Sequence, residues 1–341
     1  MIASMKNPIY KVTIIKADGT KYQLKDVTSD LVVGHAEDEL AEKVTATLVN
    51  VKVGKNWLHS LVSLRDKVYV YSNTGSGSKE VFRGIVWERE TVDTVDVREF
   101  KINCYDRLIY LHNCNDNLFV KKGKKTKDVI TSLAKRWGFK ISYKYVSISH
   151  AKLTYHDESV ADIMISILDK VQKKTGKDYV IRMDKNVIVI ETVGSNNTIY
   201  KIESSDNAIG TSYKQSMDGM KTKVLIVKAE TTKKKDSEEE TGKYLTVTSV
   251  KKNTDKYGTL QEIVVKEKDE KLSEAKKEAN EILKEHAKPK TEIEVEAIDN
   301  PWVKKGDKVY IAAGTLKNYY IVKGIEHDAS NHVMHLEVKK A

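Results

Sequence analysis

A short pattern is written twice in this chain, about 240 residues apart, and it restricts the fold to something built from a repeated β-hairpin. The first copy reads Asp66-Lys67-Val68-Tyr69-Val70, then a Gly/Ser-rich gap, then Phe82-Arg83-Gly84-Ile85. The second reads Asp307-Lys308-Val309-Tyr310-Ile311, a gap shorter by one residue, then Val322-Lys323-Gly324-Ile325. In each copy a charged pair leads into alternating apolar residues, the period-two pattern of a half-buried strand. A turn follows, and a second strand opens on a basic residue, a glycine and an isoleucine. Glycine inside a strand marks a bulge or tight bend, which a strongly curved sheet needs. The expected fold is therefore mixed β and α/β, with two similar small β-barrel domains flanking an α/β insertion domain. Gly84 and Gly324 are expected at one position of their sheets, each followed by its isoleucine, Ile85 or Ile325. Val68 and Val309 are expected on one face, with Tyr69 and Tyr310 on the other.

Residues 1–112 read as the first barrel. Tyr10, Val12 and Ile14 alternate, Asp18-Gly19 turns the chain, and Tyr22 and Leu24 resume the alternation. The run Ser72 to Ser78 contains a Gly-x-Gly, but a phosphate loop needs a helix directly after it, and Val81 to Trp87 reads as a strand. From residue 113 the apolar period lengthens to about 3.6. Thr126 is expected to cap a helix with Val129, Ile130, Leu133, Ala134 and Trp137 on its buried face, stopped by Gly138. Ser159 is expected to cap Val160, Ile163, Met164, Ile167, Leu168 and Val171, stopped by Gly176. This α/β unit spans 113–198. Residues 199–341 read as the second barrel, with a helical excursion at 269–287 and a charged segment at 230–242. That segment has no apolar anchor and is expected to be a mobile loop, cut first by trypsin at Lys233 to Lys235.

Chemistry-bearing groups occur only as isolated residues, and no catalytic, cofactor-binding or metal-binding residue is assigned. His156-Asp157-Glu158 reads as a helix approach, with acids near a positive helix end. Cys104, His112 and Cys114 fit no zinc spacing. Strand alternation separates His332 from His335, so at most His327 and His332 could meet across the turn at Ser330-Asn331, two residues where structural zinc needs four ligands. Two cysteines are too few for a disulfide framework. No charged-then-apolar leader and no long apolar run is found, so the chain is expected to be made in the cytoplasm and not to insert into a membrane. The net charge of +10 raises nucleic acid as a partner, but only seven of 59 basic residues are arginine and the lysines are dispersed, which argues against specific readout.

Several strings, taken in order, resemble one family. They are Leu64-Arg65-Asp66-Lys67-Val68, Val81-Phe82-Arg83-Gly84-Ile85-Val86, Tyr105-Asp106-Arg107-Leu108-Ile109-Tyr110-Leu111, Gly176-Lys177-Asp178-Tyr179-Val180-Ile181-Arg182, Met220-Lys221-Thr222-Lys223-Val224, Tyr257-Gly258-Thr259-Leu260-Gln261 and Gly306-Asp307-Lys308-Val309-Tyr310. Their collinear occurrence resembles the XkdQ-type baseplate hub proteins of PBSX-like defective prophages, contractile phage tails and R-type bacteriocins. The resemblance implies a virion structural protein without catalytic residues. It implies a homotrimer at the end of the tail tube, with tail tube protein, spike protein and other baseplate proteins as partners. The spike is expected to be a separate chain. Two equivalent barrels per subunit would make a trimer a symmetry adaptor, six units facing a hexameric tube and three facing a trimeric spike. The rival readings are a basic nucleic-acid-binding protein and a tail-associated peptidoglycan hydrolase.

Overall fold

A computed structural model describes residues 7–24, 26–75, 77–94, 98–234, 237–266 and 270–341. Contacts divide the chain into two units, one made of Met1–Ser212 with Ile293–Ala341 and the other of Tyr213–Glu292.

In the first unit six strands form a first array: β1 (Ile9–Ile15), β2 (Thr28–His35), β3 (Lys43–Val49), β4 (Lys67–Asn73), β5 (Ser78–Asp93) and β6 (Arg98–Tyr105). Alternation puts Val12, Ile14, Val44, Ala46, Leu48, Val68, Val70, Phe100, Ile102 and Cys104 on one face, where they pack into a single core. The strands lie side by side in the order β2-β3-β6-β5-β4-β1.

The insertion follows: α1 (Thr126–Arg136), β7 (Lys140–Tyr143), α2 (Val160–Thr175), β8 (Tyr179–Asp184) and β9 (Val187–Thr192). Strand β9 pairs parallel to β7 and antiparallel to β8, and the apolar faces of both helices close a second core. Ser159 caps α2 by accepting the Asp162 amide at 3.0 Å, and Gly176 ends it at φ 70°. Thr126 is not the cap of α1. Lys125 takes that position, and the buried Thr126 hydroxyl instead donates to Ile148 O and meets His150 Nε2.

The chain then lays down a second array: β10 (Tyr200–Glu203) and β11 (Ala208–Ser216), an excursion described below, and four more strands numbered after it. The excursion supplies most of the second unit: β12 (Lys223–Lys234), β13 (Ser237–Lys251), β14 (Gln261–Val265) and α3 (Leu272–His286). Ala275, Ala279 and Leu283 of α3 pack on Val224, Ile226 and Val264. The expected loop at 230–242 is corrected here. Strands β12 and β13 stay paired through Thr231↔Glu240, Thr232↔Glu239, Lys233↔Glu238 and Lys234↔Ser237, while residues 235–236 lie outside the described residues. Backbone pairing along a hairpin needs no apolar anchor on every residue, which the composition argument overlooked.

The array is completed by β15 (Lys290–Ile298), β16 (Lys308–Ala313), β17 (Leu316–Asp328) and β18 (Val333–Lys340), in the spatial order β11-β15-β18-β17-β16-β10. Numbered within each array, the two strand orders are identical. One difference is that β1 runs antiparallel to β4, whereas β10 runs parallel to β16.

The expectation of two similar small β-barrel domains is corrected in one respect: neither array closes into a barrel. Both arrays belong to one thirteen-stranded sheet, whose remaining strand, Lys21–Gln23, pairs with the outer edge of β1, and β1 does not pair with β2, nor β10 with β11. Closing a barrel requires its two outer strands to meet. Here the outer edge of β2 is taken by β17 of the other array instead.

Gly84 of β5 lies where the backbone of β6 comes close, so a Cβ there would stand 2.2 Å from Tyr105 O and 2.5 Å from Phe82 Cζ. At Gly324 the nearest atom would be Glu37 N at 3.2 Å. Urea unfolding of Gly84→Ala is expected to show a loss of roughly 1–3 kcal/mol, the usual cost of forced overpacking, and Gly324→Ala a smaller one.

Candidate functional site

The repeated aspartate builds the same corner twice. Asp66 Oδ2 accepts the Ser63 amide at 2.8 Å, and Asp307 Oδ2 accepts the Lys304 amide at 3.0 Å. The aspartate amides return the bond to Ser63 O at 3.2 Å and Lys304 O at 3.0 Å. The residue before each aspartate is left-handed, Arg65 at φ 68° and Gly306 at φ 88°, and its amide reaches Val86 O or Val322 O, both at 2.8 Å. Val86 N and Val322 N in turn donate to Asp66 O and Asp307 O, both at 2.9 Å. Each carboxylate also holds one cation: Lys16 at Asp66 and Arg182 at Asp307.

The corners set the hairpin registers. Lys67↔Ile85, Val68↔Gly84 and Tyr69↔Arg83 pair in the first, and Lys308↔Ile321, Val309↔Tyr320 and Tyr310↔Tyr319 in the second. Val68 and Val309 are buried, while Tyr69 and Tyr310 are half-exposed on the opposite side. Beyond the corner both second strands carry an extra residue against the last strand, Trp87 in β5 and Lys323 in β17. The equivalence of the glycines is therefore corrected. Gly84 corresponds to Tyr320 and Ile85 to Ile321, while Gly324 corresponds to Glu88 and Ile325 to Arg89. The first hairpin is the longer of the two, with four residues between Asn73 and Ser78 and one unpaired residue, Val81, against two residues between Ala313 and Leu316. Similar letters thus fell at different depths.

The arrays join where the end of β17 pairs with β2: Ile325↔His35, Glu326↔Gly34, His327↔Val33 and Asp328↔Val32. Polar contacts secure this junction. Lys305 Nζ donates to Ala36 O, Glu37 O and Glu39 O at 2.7, 2.9 and 2.7 Å. Tyr10 OH donates to Asp299 Oδ2 at 2.6 Å, whose Oδ1 lies 2.6 Å from His327 Nδ1. His327 Nε2 meets Val303 O, so both its ring nitrogens are engaged and neither is turned toward His332. His156 contacts Asn117, and Asp157 accepts Asn115. Cys104 is buried, and burial pushes its thiol well above the ordinary range. Among the described residues no group of three His, Cys, Asp or Glu could hold a metal ion, and no helix is long and apolar enough to cross a membrane.

Near the junction Asp106 is 1% exposed and accepts the amides of Leu108 at 2.7 Å and Glu42 at 3.1 Å. Burial, then the adjacent Glu42, pushes its carboxyl up to about 8 from an ordinary 3.8. The folded chain therefore keeps a proton that the unfolded chain has lost, and stability falls as pH rises toward 8. Burial also holds His35 down at about 3 and Lys305 at about 8, so His35 costs stability only below its ordinary 6.5 and Lys305 titrates above the same window. Between pH 6.5 and 8 thermal unfolding should lose about 2 kcal/mol from Asp106, and Asp106→Asn should reduce the slope without abolishing it, because burial also raises the carboxyls of Glu42 and Asp307.

The YQBQ-like family profile fits residues 36–339. Phage-like element PBSX protein XkdQ of Bacillus subtilis is 24% identical over 268 residues, 76% of this chain and 78% of XkdQ. Among solved structures, the 43 kDa tail protein of prophage MuSo2 from Shewanella oneidensis superposes with a TM-score of 0.68 at 10% identity, covering 97% of this chain and 98% of that one. A tail protein from Neisseria meningitidis gives 0.65 at 13% identity, over 97% and 96%. The fold is thus one found in phage tail proteins, and the profile match over most of its length shows that the chain belongs to the YQBQ-like family.

Proposed function

We propose that this chain is the structural hub of the baseplate of a contractile phage tail or tail-like particle, made by a phage, a prophage or an R-type bacteriocin locus. Three copies form a ring with approximate sixfold symmetry that joins a hexameric tail tube to a trimeric spike. The observation that carries the reading is the duplicated six-strand array, which gives each subunit two equivalent units and a trimer six. Family membership and the likeness to tail proteins support a tail location. The reading assigns no catalysis: the buried polar groups at the corners and the junction are spent on backbone and ion-pair contacts that hold the sheet. The boundaries proposed are a first tube-ring domain at 1–112, an insertion domain at 113–198 and a second tube-ring domain at 199–341.

Particles induced from a strain whose chain carries an epitope tag should bind antibody only at the spike end of the tail tube in electron micrographs. Deletion should leave tubes without baseplates. Label distributed along the tube, or normal particles from the deletion strain, would refute the hub role.

A further inference from the structure

The junction made inside the chain has an unfilled counterpart. Residues 325–328 of β17 lie between β18 and β2. Their equivalents 89–92 in β5 pair with β6 in the same register, Arg89↔Ile102, Glu90↔Lys101, Thr91↔Phe100 and Val92↔Glu99, as Ile325↔Leu336, Glu326↔His335, His327↔Met334 and Asp328↔Val333 do. On its other side, however, β5 has β4 only as far as Ile85. Among the described residues nothing pairs with that edge beyond the bulge, and Glu88 to Asp93 are exposed.

The strand that would fill the edge is also identifiable. In the chain it is filled by β2, and the equivalent of β2 is β11, which ends the sheet with one edge free among the described residues. The register follows from two matched bonds. Val49 N donates to Val27 O at 2.7 Å beside β2, and the equivalent Ile298 N donates to Asn207 O at 2.8 Å beside β11. Counting from Asn207 with the extra residue that β2 carries between Thr28 and Asp30, Lys214 occupies the place of Gly34 and Tyr213 that of Val33; the ion pair of Lys214 with Glu292, which stands where Lys43 pairs with Gly34, fits that count. Glu90 would then face Lys214, an opposite-charge pair of the kind that favours cross-strand neighbours. A second observation points the same way. At the corner, Lys305 binds the turn after β2, and its counterpart Leu64 is 56% exposed with nothing comparable to cover it. Ile209 and Tyr213 of β11 are 53% and 52% exposed. A long exposed edge with apolar neighbours is a template for strand addition unless it is covered.

We infer that the free edge of β5 takes strand β11 of a second copy of this chain, repeating between chains the β17–β2 junction made within one. The contact is heterologous: one copy presents β5 and the next presents β11. The pairing rests on the repeat alone, and closure of the resulting ring at three chains rests on the hub reading.

The test uses disulfide trapping in full-length chains carrying Cys114→Ser. Glu90→Cys and Lys214→Cys are made on separate chains, mixed at about millimolar concentration and oxidised. The geometry within one chain is checked with Gly34→Cys and Glu326→Cys, which are directly opposed. The mixture should give a disulfide-linked species of twice the chain mass, and neither single variant should do so. No cross-link in the mixture while the within-chain control closes would overturn the inference, and so would equal cross-linking by Lys214→Cys alone. The double variant should stop at three chains. A ladder running past three would sink the closed ring and leave the strand pairing standing.

Discussion

A single carboxylate, placed three residues after the amide it accepts, holds each half of this sheet in register. Asp66 and Asp307 hold a left-handed residue before the strand and point that residue's amide at the second strand of the hairpin. Once that bond forms, the pairing next to the corner is determined, because strand register has a period of two and a slip there would turn the apolar face outward. The bulges at Trp87 and Lys323 follow at a fixed distance from the corner, and they turn the strand ends toward their next neighbours.

Much of the local structure was legible. The Asp-Lys-Val-Tyr strings marked the corners because a charged residue before alternating valines is what a strand start requires, and Ser159 and Gly176 marked a helix by capping chemistry. The second half of each hairpin was not legible at the right depth. Arg83-Gly84-Ile85 and Lys323-Gly324-Ile325 look alike, but turn length, which the letters leave open, decides where a residue sits. The joining of the arrays was hidden altogether. Alternation tells which face a residue of β2 or β17 occupies, while the choice of partner along an edge is made by backbone groups that every residue carries. The charged run near residue 235 misled for the same reason: its composition argued for solvation, and its backbone is paired up to residues 234 and 237.

The two halves have diverged where their surroundings differ. The second half places an ammonium at Lys305 among three carbonyls, and the first places an exposed Leu64 there. Arg182 of the insertion serves Asp307, and Lys16 of the first array serves Asp66. An identical hydrogen-bond frame thus accepts different outer contacts, because the frame is made by backbone amides and one carboxylate and leaves the side chains around it free to change.

The β17–β2 junction has a consequence for synthesis. Its partners are separated by about 290 residues, so β2 leaves the ribosome long before β17 exists. At the usual rate of about 5–20 residues per second, the N-terminal array waits roughly 15–60 s with one edge uncovered. During that interval nascent chains on one message carry identical open edges at high local density. Slow translation would then favour mispairing between neighbours, and the yield of correctly folded chain should depend on elongation rate more than on the stability finally reached.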